Sequence, residues 1–145
     1  MLAAMRSLAM SGERLAALRA AYAAASADRE LFARVFYRRL FALDPALPAL
    51  FGSDMRAQGE KLVTMLDQVI GAADAPNRLR AEIEDLGRRH AEYGVRPGHY
   101  ALVGATLAGT FAEILDDDCD EHAMRGLVVL YGAVSAAMLE GAARP

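Results

Sequence analysis

Three polar side chains interrupt apolar helix faces, and their chemistry raises the first questions. His90 closes a stripe of Leu79, Ile83, Leu86 and His90, whose spacings of four, three and four keep every member on one face of a helix. Its charged neighbours Arg88, Arg89 and Glu92 fall on other faces. An imidazole aimed at a core is either hydrogen-bonded there or binding something. Gln58 lies four residues before Leu62 and on the same face as Leu66, so an uncharged amide is directed inward, and its donors and acceptor need partners. Tyr37 sits beside Phe36 in another apolar helix, with a hydroxyl to satisfy. Taken singly, each is more often structural: a satisfied core histidine, a backbone-bonded glutamine, a core aromatic whose hydroxyl is met at the edge.

Helices must hold these groups. No segment alternates apolar and polar with the period of a strand for long enough to matter, whereas helical spacing recurs along the chain. Leu15, Leu18 and Tyr22 predict a first helix ending near Ala25-Ser26, and Ser26 is the expected N-cap of the next, which carries Phe32, Val35, Phe36, Leu40 and Leu43. Pro45 and Pro48 stop that helix and leave an irregular corner through Phe51-Gly52. A third helix starts near Ser53-Asp54, turns Met55, Leu62, Leu66 and Val69 inward, and ends at Gly71. The His90 helix follows Pro76 and ends at Gly94, and Pro97-Gly98 opens a fifth with Tyr100, Val103, Leu107, Phe111 and Ile114. After an acidic corner, Met124, Val128, Tyr131, Ser135 and Met138 line the last. The expectation is an all-α single domain of about six main helices at residues 11–145, preceded by an N-terminal extension at 1–10. Periodicity alone leaves an up-down bundle and other helical packings open.

Composition narrows the function classes. The 145 residues suffice for one domain with a real core, and 54% hydrophobic with 24% charged residues describes a globular chain. Sixteen basic against nineteen acidic residues give a net charge of −3, which argues against a general nucleic-acid binder. Cys119 is the single cysteine, so no intramolecular disulfide forms, and with three scattered histidines there is no zinc-site spacing. Arg6 interrupts Met1 to Met10 as a signal peptide, and no stretch approaches the ~20 apolar residues of a membrane span. The expected location is cytoplasmic. Asp116-Asp117-Asp118 with Asp120 and Glu121 lack the alternating ligands and central glycine of a calcium loop and read as a solvated corner, with Cys119 exposed in it. His99 and His122, at helix starts, are expected to face solvent.

Order and spacing change the weight of the three polar groups. Phe36-Tyr37 is followed by Asp44-Pro45 and, fourteen residues after Tyr37, by Phe51. Gln58, Lys61 and Leu62 then form Gln-x-x-Lys-Leu. Further on, Arg89-His90-Ala91-Glu92-Tyr93-Gly94-Val95-Arg96-Pro97-Gly98-His99-Tyr100 reads basic-His-x-x-aromatic-x-Val-x-Pro-x-x-Tyr. This ordered set resembles the globins, and within them the bacterial single-domain haemoglobins and the haem domain of flavohaemoglobins. The likeness runs from about Ser11 to about Met138.

The resemblance implies a globin fold that binds haem b. It assigns His90 as the iron ligand, with its other ring N–H donating to a carbonyl near Leu86. Phe51 would wedge the porphyrin, Leu62, Leu66, Leu86, Val95 and Val103 would surround it, and Lys61 and Arg89 would meet its propionates. On the opposite side, Tyr37 and Gln58 would donate hydrogen bonds to bound O2, as the catalytic pair. Tyr100, ten residues after His90, matches the proximal tyrosine of the family; the partner glutamate falls on Ala142, with Glu140 the nearest acid. The expected ligands are O2, NO and CO. The expected activity is reversible diatomic binding, with NO dioxygenation if an external reductase supplies electrons, because the flavin and nicotinamide domains of flavohaemoglobins are absent from the 145 residues. Two alternatives remain: haem-based gas sensing without turnover, and a haem-free globin-like interaction domain.

Overall fold

Aspartates set the starts of three helices. In the computed structural model, which describes residues 12–144, the carboxylates of Asp28, Asp54 and Asp120 accept hydrogen bonds from the backbone N–H groups of Leu31, Ala57 and His122. Each satisfies a donor that the first turn of a helix leaves over. Six α-helices result among the described residues: α1 (Gly12–Ala25), α2 (Arg29–Leu43), α3 (Met55–Gly71), α4 (Arg80–Glu92), α5 (His99–Leu115) and α6 (Glu121–Ala142). Short 3-10 turns at Leu47–Leu50, Pro76–Leu79 and Asp116–Asp118 fill the corners, and no strand occurs among the described residues. The all-α expectation holds. The extension at 1–10 lies outside the described residues.

The expected cap at Ser26 does not form. Its hydroxyl instead donates to the Tyr22 carbonyl at 2.6 Å and closes α1, while the cap of α2 moves two residues on to Asp28. Leu79 belongs to the 3-10 turn ahead of α4 and not to the helix itself.

Packing pairs the helices: α1 lies on α6 and α5, α2 on α3 and α5, and α4 on α6. Phe32 and Phe111 form the centre of the core, with Tyr22 ringed against both at centroid distances of 6.0 and 6.3 Å. Two buried threonines, Thr106 and Thr110, satisfy their hydroxyls on the carbonyls of Leu102 and Thr106, each at 2.7 Å. Two positions on the expected stripes face out: Leu43 is 54% exposed and Val128 is 67% exposed. The inward face of α6 is carried by Ala123, Leu127, Leu130, Ala133, Ala137 and Met138, small residues among large ones. This helix is also long and apolar enough to cross a membrane, contrary to the expectation from composition; here it lies against α1 and α4 as a core helix.

The α4–α6 seam has a particular construction. A Cβ placed on Gly87 would fall 1.9 Å from the Met138 carbonyl oxygen, and one on Gly141 would fall 2.0 Å from the Glu84 carbonyl oxygen. Backbone meets backbone at both points, about one turn (Gly87) and nearly two turns (Glu84) before His90. Beyond the helix, Gly94 takes φ +95°, a region that side chains disfavour, and turns the chain out of α4.

Candidate functional site

His90 is half-buried on α4, on the wall of an apolar cavity of about 210 Å³. Its Nδ1 lies 2.8 Å from the Leu86 carbonyl oxygen. A carbonyl only accepts, so Nδ1 carries the proton and Nε2 keeps its lone pair. Burial pushes the imidazole below its ordinary pKa of 6.5; the Leu86 carbonyl works against that shift and the Arg89 charge adds to it. Near neutral pH the ring is a neutral base with its free nitrogen unprotonated.

Nine of the expected site residues come together around this cavity: Tyr37, Phe51, Leu62, Leu66, Leu86, His90, Val95, Tyr100 and Val103. Tyr37 arrives from α2, caged by Phe36, Phe41 and Phe51 at ring distances of 5.1, 5.7 and 5.4 Å. Its hydroxyl donates to the Gln58 backbone carbonyl at 3.4 Å, a long and weak bond. Burial raises its pKa to about 12, so it stays a protonated donor.

Three expected residues stand apart from the lining. Gln58 is half-buried and contributes its carbonyl to Tyr37, while its side chain is not part of the cavity wall. Lys61 is exposed, and Arg89 is exposed in an ion pair with Asp85 at 3.3 Å. Glu140 is also off the wall.

The structure adds residues that the sequence did not single out. His99 is one, and it corrects the expectation that it faces solvent: half-buried, it lines the cavity while its Nδ1 accepts from the Arg96 backbone N–H at 2.9 Å. Tyr131, from α6, lines it as well, and its hydroxyl donates to the Tyr100 carbonyl at 2.6 Å. Met65, Leu130, Val134 and Met138 are among the residues that α3 and α6 add to the wall. His122 is exposed, as expected, and Cys119 is half-buried.

Of the two imidazoles on the wall, His90 keeps an unprotonated Nε2, whereas the Nδ1 of His99 accepts from Arg96 and its neutral ring carries the proton on Nε2; the result is a specific donor set. No group of three or more His, Cys, Asp or Glu side chains that could hold a bare ion occurs among the described residues. A hydrated cation would lose its shell here for one imidazole, a poor exchange. The residues fit a metal that brings most of its own ligands inside a flat apolar frame, as iron does in haem.

Comparison with known proteins points the same way. The sequence profile of the globin family matches residues 34–138. A flavohemoprotein from Rhizobium meliloti (strain 1021) is 30% identical over 100 residues, 67% of this chain and 25% of that protein. Flavohemoprotein A of Dictyostelium discoideum is 27% identical over 109 residues, 74% of this chain and 28% of that one. The chain thus spans about a quarter of the length of these curated relatives. Among solved structures, a Pseudomonas aeruginosa PAO1 protein described as structurally highly homologous to a human hemoglobin superposes with a TM-score of 0.79 at 25% identity, covering 90% of this chain and 99% of that one. An engineered carbene transferase, made from a candidate nitric oxide dioxygenase of Rhodothermus marinus, gives a TM-score of 0.80 at 25% identity, over 92% and 94% of the two chains. With the cavity, its histidine and a profile that covers most of the sequence in agreement, the chain belongs to the globin family.

Proposed function

We propose that this globin binds haem b through His90, takes up O2, NO and CO reversibly, and supports NO dioxygenation with electrons from an external reductase. The observation that carries the reading is His90 itself, with Nδ1 tied to Leu86 and Nε2 free at an apolar cavity wall. Bound haem would supply an open iron position for a diatomic ligand and one-electron redox chemistry.

The chain's own residues do the rest. The Leu86 carbonyl fixes the ring and tautomer of His90 and makes Nε2 a stronger donor to a metal. Leu62, Leu66, Leu86, Val95 and Val103 exclude water, which strengthens every polar contact inside. The Tyr37 hydroxyl, held weakly by Gln58, can turn to donate to a ligand that gathers negative charge, which favours O2 over CO. Gln58 is the proposed second donor, its amide swinging from a helix position that already touches Tyr37 through its carbonyl. Lys61 and Arg89, exposed neighbours of the wall residues Leu62 and His90, are proposed to meet the haem carboxylates, Arg89 by leaving Asp85. The balance O2 + NO + e⁻ → NO3⁻ needs one electron per turnover, and the 145 residues carry no G-x-G-x-x-G dinucleotide fingerprint to deliver it. The flavohemoprotein relatives and the Rhodothermus neighbour support this choice of chemistry.

Absorbance spectra of the purified protein in ferric, ferrous and CO-bound states test the reading. The expected result is an intense Soret band that shifts on reduction and again with CO, and that His90→Ala abolishes or makes dependent on added imidazole. A colourless protein that takes up no added haem, or an unchanged Soret band in the variant, would overturn it.

A further inference from the structure

A second cleft is larger than the one that holds His90. A groove of about 700 Å³ runs along the outside of α2 and α3, with Arg34, Arg38, Arg56 and Glu60 exposed along it and Ala33 and Gly59 buried beneath. Among the described residues, Tyr37 alone is common to the wall of this groove and the wall of the inner cavity. Tyr37 is therefore where the groove adjoins the space beside His90.

We propose that this groove is the port through which small diatomic ligands reach the cavity, with the Tyr37 ring as its door; this rests on the haem-binding reading above. α2 and α3 leave no gap between their backbones where a Cβ on Gly59 would fall 2.8 Å from that of Ala33. Movement falls to side chains. The Tyr37 hydroxyl is tethered only by its 3.4 Å bond to the Gln58 carbonyl, so turning the ring gives up little hydrogen bonding, and its contacts with Phe36, Phe41 and Phe51 are what hold it closed. Met55, half-buried in the groove, is unbranched and adapts as the ring moves. A neutral diatomic needs no polar path and meets the Tyr37 donor as it enters. A third cleft of about 420 Å³ shares Met65 and Ile83 with the cavity and is the competing route. Ile83 is buried and β-branched, which restricts its rotation, and that cleft does not reach Tyr37.

Flash photolysis of the ferrous CO complex, with matching O2 measurements, tests the port. Met55 lines the groove and not the cavity, so Met55→Trp plugs the path without touching a bound ligand. A barrier on a route slows entry and exit alike. Association and dissociation rates of both gases should fall together by about fivefold or more, leaving Kd unchanged, and Met55→Ala should raise both. Gln68→Trp, the matching plug in the third cleft, should leave the rates alone. Rates that ignore both Met55 variants, or that respond to Gln68→Trp instead, would overturn the port while leaving haem binding intact. A protein with no CO complex would overturn the reading beneath it.

Discussion

His90 and Tyr37 are both half-buried, and burial acts on them in opposite directions with the same outcome: each stays neutral. For His90 the folded chain binds a proton less tightly than the unfolded chain does, chiefly through desolvation. The stability this contributes is present above the ordinary histidine pKa of 6.5 and is lost as pH falls through that value toward the lowered folded one. Urea titrations of the haem-free protein from pH 8 to pH 5 should show falling stability below about 6.5, with a shallower fall in His90→Leu. An identical pH profile in the variant would assign the loss to other groups. For Tyr37 the test is ligand choice. A hydrogen bond to a charged group in a dry site contributes roughly 1.5–3 kcal/mol, so Tyr37→Phe should speed O2 dissociation by about tenfold to a hundredfold. Gln58→Leu should do so as well if its amide swings in, and CO should respond less to either change. Equal effects on the two gases would mean altered access.

At the scale of elements, the legible parts were those where large side chains or caps mark a boundary. Pro45, Gly71, Gly94 and Pro97 bracket the helices as expected, and nine of the twelve expected site residues share the cavity. The misses have physical causes. Ser26 and Asp28 are both good N-caps two residues apart, and only the bond to Leu31 decides between them. On α6, sequence reading followed the bulky residues and included Val128, whereas the helix turns its small residues inward where it lies close to α1 and α4. His99 was misplaced because a position at a helix start does not say which way the ring points; the bond from Arg96 does. The glycine seam yields the prediction at this scale. Gly87→Ala forces a methyl into the Met138 carbonyl, at a cost of at least the ~1–3 kcal/mol of ordinary overpacking. Thermal denaturation should show a melting temperature lower by ~5 °C or more. Haem retention should fall with it, because His90 stands one turn away. A Gly132→Ala control on the same α6, where nothing lies within 4 Å of the added Cβ, should hold or slightly raise the melting temperature, because alanine favours the helix; equal losses in the two variants would mean that the seam is not the cause.

For the whole molecule, the proposed dependence on an external reductase becomes a prediction about turnover by these 145 residues. The oxy protein should consume about one equivalent of NO, release nitrate and stop in the ferric state, with NADH alone unable to restart it. A separate ferredoxin or flavodoxin reductase should. Stopped-flow mixing measures this directly: rapid multiple turnover on NADH alone would contradict the need for an external reductase, and a lack of nitrate would favour gas sensing.

The seam at Gly87 and Gly141 also bears on how such a chain can drift. Where side chain packs on side chain, one partner can shrink as the other grows, and the pair wanders together. A carbonyl pressed against a Cα–H offers no such exchange, since the backbone has nothing to give up. These two positions therefore admit a single residue type for as long as α4 keeps its place on α6, whatever else is replaced around them. Histidine occurs on many amphipathic helices; a glycine one turn before it, matched to a second glycine late in the last helix, ties this one to α6 backbone to backbone.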